Sequence, residues 1–151
     1  MSNFLAIATV TAALQQMLGN AAAVVSGAEV TTLRPSDKPK SPAINIYLYQ
    51  VAPNPALQNM DLPTRSGSGE AIQRPFAALN LNYMISFYGD EVKLEPQRLL
   101  GAAISVLHGK PVLTRQAIQA VISASVGADP NSFMGKSNLV EQLELVRFTQ
   151  L

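Results

Sequence analysis

The chain of 151 residues contains no cysteine or tryptophan and only one histidine. Without cysteine, disulfide bonds and thiolate metal sites are excluded. The lone histidine, His108, precedes Gly109 at the predicted end of a helix, and no nearby residue in the sequence would orient it as a base. An interaction with the helix C-terminus is therefore favoured over catalysis for His108.

Charged residues are scarce and nearly balanced, with 11 Lys and Arg against 10 Asp and Glu. Together they make up 14% of the chain, where about a quarter is usual for soluble domains. The densest basic group is Arg34, Lys38 and Lys40, and Asp37 lies inside it, whereas nucleic acid requires a concentrated positive face. Because 48% of the residues are hydrophobic, we expect part of the apolar surface to contact another protein.

Motifs for phosphate or metal binding are incomplete. Gly135-Lys136-Ser137 is similar to the end of a phosphate-binding loop, but that motif requires a glycine where Pro130 stands. The nearest approach to a carboxylate cluster consists of Asp90, Glu91 and Glu95. With Lys93 among them, a solvated turn between a strand and a helix is favoured, and a weak Ca²⁺ site stays open. We therefore predict no enzyme activity, no cofactor and no metal site.

The N-terminal segment up to Val25 is apolar enough to be compared with a signal peptide or a membrane span. No Lys or Arg occurs before Arg34, so the positive region of a signal peptide is missing. Gln15, Gln16 and Asn20 interrupt the segment before the roughly 20 apolar residues that a span requires. A narrow polar stripe on the helical wheel is formed by Ser2, Thr9, Gln16 and Asn20. These features predict a helix buried on most sides, in the core or at a subunit interface.

Hydrophobic periodicity predicts the remaining elements. A period of two indicates strands at 44–51 and 77–88, and we expect both to share one sheet with a final strand at 141–149. A further short β-like run covers 28–33. Helices are predicted at 95–108 and 114–124, with Pro96 in a first turn and Thr114 as an N-cap. The buried faces are predicted to be Leu99, Leu100, Ala103, Val106 and Leu107 in the first helix, and Ala117, Ile118, Val121 and Ile122 in the second.

This order of elements predicts an α+β fold for residues 1–151 as a single domain. Its sheet would be mostly antiparallel or mixed, with about four strands and with helices packed against it. The connection 52–75 is rich in Pro, Asn, Gly and Ser and is far longer than a hairpin loop. A connection of this length predicts a functional loop or arm, or partial disorder.

Three blocks of the sequence resemble a known family: INIYLYQVAPNPALQNMDLPTR, RPFAALNLNYMISFYGDE and LEPQRLLGAAISVL. They are similar to the N-terminal domain of cap proteins, also called tail terminators, of extracellular contractile injection systems of the virulence-cassette and antifeeding-prophage type. The resemblance runs from about Val30 to Phe148. It implies a hexameric, non-enzymatic ring that closes the end of the inner tube and the contractile sheath and limits their length. Family members usually continue beyond the final strand, so the family's C-terminal part is expected to be absent from the sequence up to Leu151, which would be either a short form or only the ordered part of a longer chain.

The resemblance also implies partners and a location. The partners would be further copies of the chain and the tube and sheath proteins, with no nucleic acid and no membrane. The protein would be cytoplasmic during assembly and then part of a released extracellular particle. The predicted contacts with a subunit, the tube or the sheath are Asn54, Pro55, Leu57, Met60, Asp61, Leu62, Arg65 and Arg74.

Other interpretations stay open. Leu57, Met60 and Leu62 could instead pack onto their own domain, as compact loops often do. The chain could also be another adaptor or baseplate component of a phage-tail-like particle, or a small-ligand-binding domain or enzyme that uses backbone groups.

Overall fold

A computed structural model describes residues 4–56, 66–70, 78–141 and 146–149. Within those residues the helices and strands are α1 (Ala6–Ala22), β1 (Glu29–Thr31), β2 (Ala43–Pro53), β3 (Leu79–Tyr88), α2 (Glu95–Gly109), β4 (Val112–Leu113), α3 (Arg115–Ala128) and β5 (Val146–Arg147). Two short 3₁₀ helices cover Phe133–Lys136 and Leu139–Glu141. The predicted α+β class is confirmed.

The chain forms two compact units, and the boundary falls inside β2 and inside β3. The helical unit consists of Met1–Tyr47 and Met84–Leu151, and the strand unit consists of Leu48–Tyr83. The prediction that 1–151 is a single domain stays a prediction.

The main sheet has three strands in the order β1-β2-β3. β1 runs parallel to β2, with Glu29 opposite Ala43 and Thr31 opposite Asn45. A buried amide holds this edge in place: Asn45 Oδ1 accepts hydrogen bonds from Thr31 Oγ1 and Leu33 N, both at 2.8 Å. Asn45 Nδ2 donates to Leu33 O at 3.1 Å. The Asn45 side chain therefore continues the pairing of the sheet beyond the three residues of β1.

The core of the helical unit lies around α1, which packs against α2, α3 and β1. Its fully enclosed apolar side chains include Leu18 of α1, Ile44 of β2 and Leu99 of α2, each 0% exposed. The predicted N-terminal helix is confirmed. Gln16 and Asn20 are exposed, as the polar stripe indicated.

Thr9 does not belong to an exposed stripe, and this part of the prediction was wrong. Its side chain is 0% exposed. The Thr9 hydroxyl is hydrogen-bonded to Leu5 O at 2.9 Å and to Ser137 Oγ at 2.7 Å. Because these partners satisfy the hydroxyl, the helix can bury Thr9 without leaving an unpaired polar group.

The predicted placement of the strand 141–149 in the main sheet was also wrong for its described residues Val146–Arg147. β5 pairs antiparallel with β4 in a separate two-stranded sheet, with Val112 opposite Arg147 and Leu113 opposite Val146. β4 was not predicted from the sequence, because two residues are too few to show an alternating pattern.

Both later helices begin where they were predicted to begin. Pro96 lies in the first turn of α2, and Thr114 Oγ1 accepts a hydrogen bond from Ala117 N at 3.2 Å as the N-cap of α3. The predicted buried face of α2 was too wide: Leu99 and Ala103 are buried, but Leu100 is 42% exposed. α2 therefore packs through a narrower stripe than its apolar residues suggested.

Candidate functional site

The strands that flank the predicted arm leave apolar side chains exposed. Within the strand unit, Tyr49 and Val51 of β2 are 54% and 44% exposed, and Leu79 of β3 is 43% exposed. Asn82 Nδ2 donates a hydrogen bond to Gln50 Oε1 at 3.2 Å. This hydrogen bond thus joins the two strands at their surface, while their large apolar side chains remain available to a partner.

The arm begins with a fixed turn at Asn54. The Asn54 N–H donates to Ala78 O at 2.9 Å, and Asn54 Oδ1 accepts from Ala56 N at 3.0 Å. This side-chain bond two residues along the chain is an Asx turn, which Asn favours. Pro55, inside this turn, is exposed. Of the predicted contact residues, Leu57, Met60, Asp61, Leu62, Arg65 and Arg74 lie outside the described residues, so their contacts stay predictions.

A second turn lies farther along the same connection, at 66–70. Ser66 N donates to Glu70 O, and Gly69 N donates to Ser66 O, each at 2.9 Å. Gly69 has a φ of +86°, a conformation that side chains other than glycine rarely adopt. The Ser-Gly-rich piece is therefore a hydrogen-bonded turn in this part of the connection.

The carboxylates of Asp90 and Glu95 stabilise the turn between β3 and α2. Asp90 Oδ1 accepts from Val92 N at 2.9 Å, and Glu95 Oε2 accepts from Asp90 N at 2.8 Å. Asp90 Oδ2 lies 3.6 Å from Lys93 Nζ. The interpretation of this group as a strand-to-helix turn is confirmed. Across the residues with described positions, no three His, Cys, Asp or Glu side chains are grouped so that they could hold a metal ion.

Gly89 is needed by the close approach of this turn. A Cβ atom at position 89 would lie 2.6 Å from Glu95 Cβ, a distance that real side chains do not tolerate. Leu94 follows with a φ of 53°, which is unusual for a residue other than glycine. The chain therefore reverses tightly between β3 and α2.

The Gly135-Lys136-Ser137 segment borders a cavity at the end of α3. The cavity has a volume of about 360 Å³ and is lined by Val126, Pro130, Asn131, Ser132, Gly135 and Lys136. Gly135 and Lys136 belong to a 3₁₀ helix, not to a loop between a strand and a helix. The architecture of a phosphate-binding loop is therefore absent from this described segment. His108 is exposed in the last turn of α2.

Large apolar side chains are also exposed on the helical unit. The extreme cases are Val92 at 92% and Phe4 at 90%. Leu94, Leu100 and Ile104 add a group on and just before α2, each more than 40% exposed. This exposed group was not predicted from the sequence, because Leu100 was assigned to the buried face of α2. None of the helices in the described ranges is long and apolar enough to cross a membrane.

These features define a small α+β domain with a long connection between two sheet strands. A family model described as Pvc16 N-terminal domain matches residues 9–150, and the chain belongs to that family. The family resemblance of the three sequence blocks is thereby confirmed. The protein is therefore associated with phage-tail-like contractile injection particles. Comparison with curated proteins and with solved structures found no match.

Proposed function

We propose that the protein is the cap, or tail terminator, of a phage-tail-like contractile injection particle. In this role, six copies form a ring that closes the end of the inner tube and the sheath and so limits their length. The observation that carries the proposal is the family match over residues 9–150, nearly the whole chain.

The surface of the helical unit supports assembly into a ring. Each subunit of a ring contacts two neighbours, so a large share of its surface becomes buried. The low proportion of charged residues and the exposed Phe4 and Val92 suit such burial. In water these side chains would favour association, because burying apolar surface contributes about 25 cal/mol per Å².

The connection 52–75 is the proposed docking element for a neighbouring subunit, the tube or the sheath. Its start is constrained by Pro53, Pro55 and the Asx turn at Asn54, which lowers the conformational entropy lost on docking. Leu57, Met60 and Leu62 would supply the apolar anchors of the contact. Asp61, Arg65 and Arg74 would make polar contacts at its edge.

The cap works without catalysis in this proposal. The carboxylates of Asp90 and Glu95 are occupied by backbone N–H groups, and His108 is exposed at a helix end. Assembly would take place in the cytoplasm, and the finished particle would be released. The work of the protein would consist of binding further copies of itself and the last rings of tube and sheath.

Electron microscopy of the purified protein tests this function. We expect ring-shaped particles with six-fold symmetry in class averages. A control variant, Gln116→Ala on the exposed side of α3, should give the same rings. A population that consists only of compact monomers at every concentration, for a chain that is folded by circular dichroism, would contradict the proposal.

A further inference from the structure

The exposed side of α2 differs from an ordinary surface helix. Five residues at helical spacing define it, and we call them the α2 face: Gln97, Leu100, Gly101, Ile104 and Ser105. Leu100 and Ile104 are 42% and 46% exposed. The outer side of a surface helix normally carries several charged residues, whereas the α2 face carries none and is bordered by Arg98, which donates to Val24 O at 3.0 Å, and by His108 in the last turn. This composition suits a surface that another protein covers.

The centre of the α2 face can be approached closely. A Cβ atom added at Gly101 would meet no atom within 4 Å, so the space above this residue is open. Ser105 Oγ donates to Gly101 O at 2.9 Å, so the hydroxyl is satisfied by its own helix. A second helix could therefore lie against Gly101 with Leu100 and Ile104 packed beside it, without burying an unpaired polar group.

The charges at the two ends of α2 are of opposite sign. Asp90, Glu91 and Glu95 precede or begin the helix, against the two basic residues Lys93 and Arg98, so this end keeps a net negative charge. Lys110 follows the helix, and no Asp or Glu occurs between Pro96 and Ala128. Two copies of α2 packed in opposite directions would place the acidic end of one beside the basic end of the other. A parallel arrangement would place like charges together.

The spacing of the apolar residues is compatible with this antiparallel arrangement. Leu100 and Ile104 lie symmetrically about position 102, so a two-fold axis there brings Leu100 level with Ile104 of the second copy. The same axis brings position 94, in the turn that carries Glu91, level with Lys110 of the second copy. The apolar match and the charge match therefore occur in one register.

We infer that the α2 face binds the α2 face of a second copy of this chain, antiparallel about a two-fold axis. One helix per copy buries less than the roughly 800 Å² per partner typical of stable complexes, so the pair is weak in isolation. This contact is independent of the proposed ring. A two-fold contact joins copies in pairs, whereas a ring contact joins each copy to two neighbours through different surfaces.

Cross-linking tests the inference directly, because the natural chain contains no cysteine. Near a two-fold axis a residue faces its own counterpart, so Gly101→Cys should form disulfide-linked dimers under mild oxidation. Gln116→Cys, on the exposed side of α3, is the matched control and should stay largely monomeric on a non-reducing gel. Equal cross-linking of both variants, or none of Gly101→Cys, would overturn the inference.

Three further variants distinguish specific pairing from chance collision. Ile104→Asp, made in the Gly101→Cys chain, should slow cross-linking at least tenfold, because it places a charge in the apolar contact. Lys110→Glu should slow it severalfold at low salt, and adding Glu91→Lys should restore much of the rate. Unchanged rates in the Ile104→Asp chain, with the fold intact by circular dichroism, would contradict the pairing. Six-fold rings without the Gly101→Cys cross-link would leave the proposed function standing and remove only this contact.

Discussion

The two ends of β2 have the same alternating sequence pattern but very different surroundings. In the helical unit, Ile44 and Ile46 are 0% and 1% exposed, and the residues beside them are buried as well. In the strand unit, Tyr49 and Val51 are 54% and 44% exposed. In a strand, Tyr49 and Val51 lie on the same face as Asn45 and opposite to Ile44 and Ile46, so the first end is covered on both faces. Burial of a face requires another layer to pack on it. The difference implies that the first end of β2 serves stability, whereas the second end is available for binding.

The polar residues of the two regions differ in the same way. Asn45 is 1% exposed, and its amide makes three hydrogen bonds that join β1 and β2. Asn82 of β3, in the strand unit, makes a hydrogen bond with Gln50 at the surface. An unpaired polar group would be buried at the position of Asn45, whereas water would hydrate it at the position of Asn82.

The largest expected effect separates the two ends of β2. Ile44→Ala should lower the free energy of unfolding by about 3 kcal/mol, because it leaves a cavity in a fully enclosed site. Val51→Ala, the control in the same strand, should change it by less than about 0.5 kcal/mol, because its side chain is already hydrated. Urea denaturation followed by circular dichroism measures both. Equal losses in the two variants would mean that the strand unit is as tightly packed as the helical unit.

A smaller effect is expected when the buried amide is removed. Asn45→Ala should cost about 2 kcal/mol, because it removes the three hydrogen bonds of a side chain that is only 1% exposed. Asn82→Ala is the matched control and should cost less than about 0.5 kcal/mol. Thermal melts of the two variants side by side provide the measurement. If the melting temperature of Asn45→Ala equals that of the natural protein, the Asn45 amide does not stabilise the pairing of β1 with β2.

Periodicity predicted the α-helices and long strands well, because each has enough residues to show a period of 3.6 or 2. It could not place Asn45 or Thr9 inside, since their burial depends on partners far away in the sequence, such as Ser137. It could not show that Leu100 is exposed, because an apolar residue at the edge of a stripe is compatible with either environment. The predicted contact residues came from the length and composition of the connection together with a family resemblance, and of these the structure describes Asn54 and Pro55.

The smallest effect is expected at the cavity beside α3. Lys136→Ala should change the free energy of unfolding by less than about 0.5 kcal/mol, because Lys136 is exposed. Assembly of particles and contraction of the sheath should also remain unchanged, since the proposed cap uses no ligand there. Electron micrographs of particles from cells carrying this variant provide the measurement. A loss of assembly with an intact fold would reveal a functional site at this cavity.

The length of assembled particles tests the central claim, that the chain terminates the tube and sheath through the connection between β2 and β3. The variant replaces residues 56–72 with a short Gly-Ser linker and leaves every described helix and strand in place. We expect a melting temperature close to that of the natural protein, together with tubes and sheaths of uncontrolled length in electron micrographs. Particles of normal, uniform length in that variant would contradict the claim that this connection limits the length of tube and sheath.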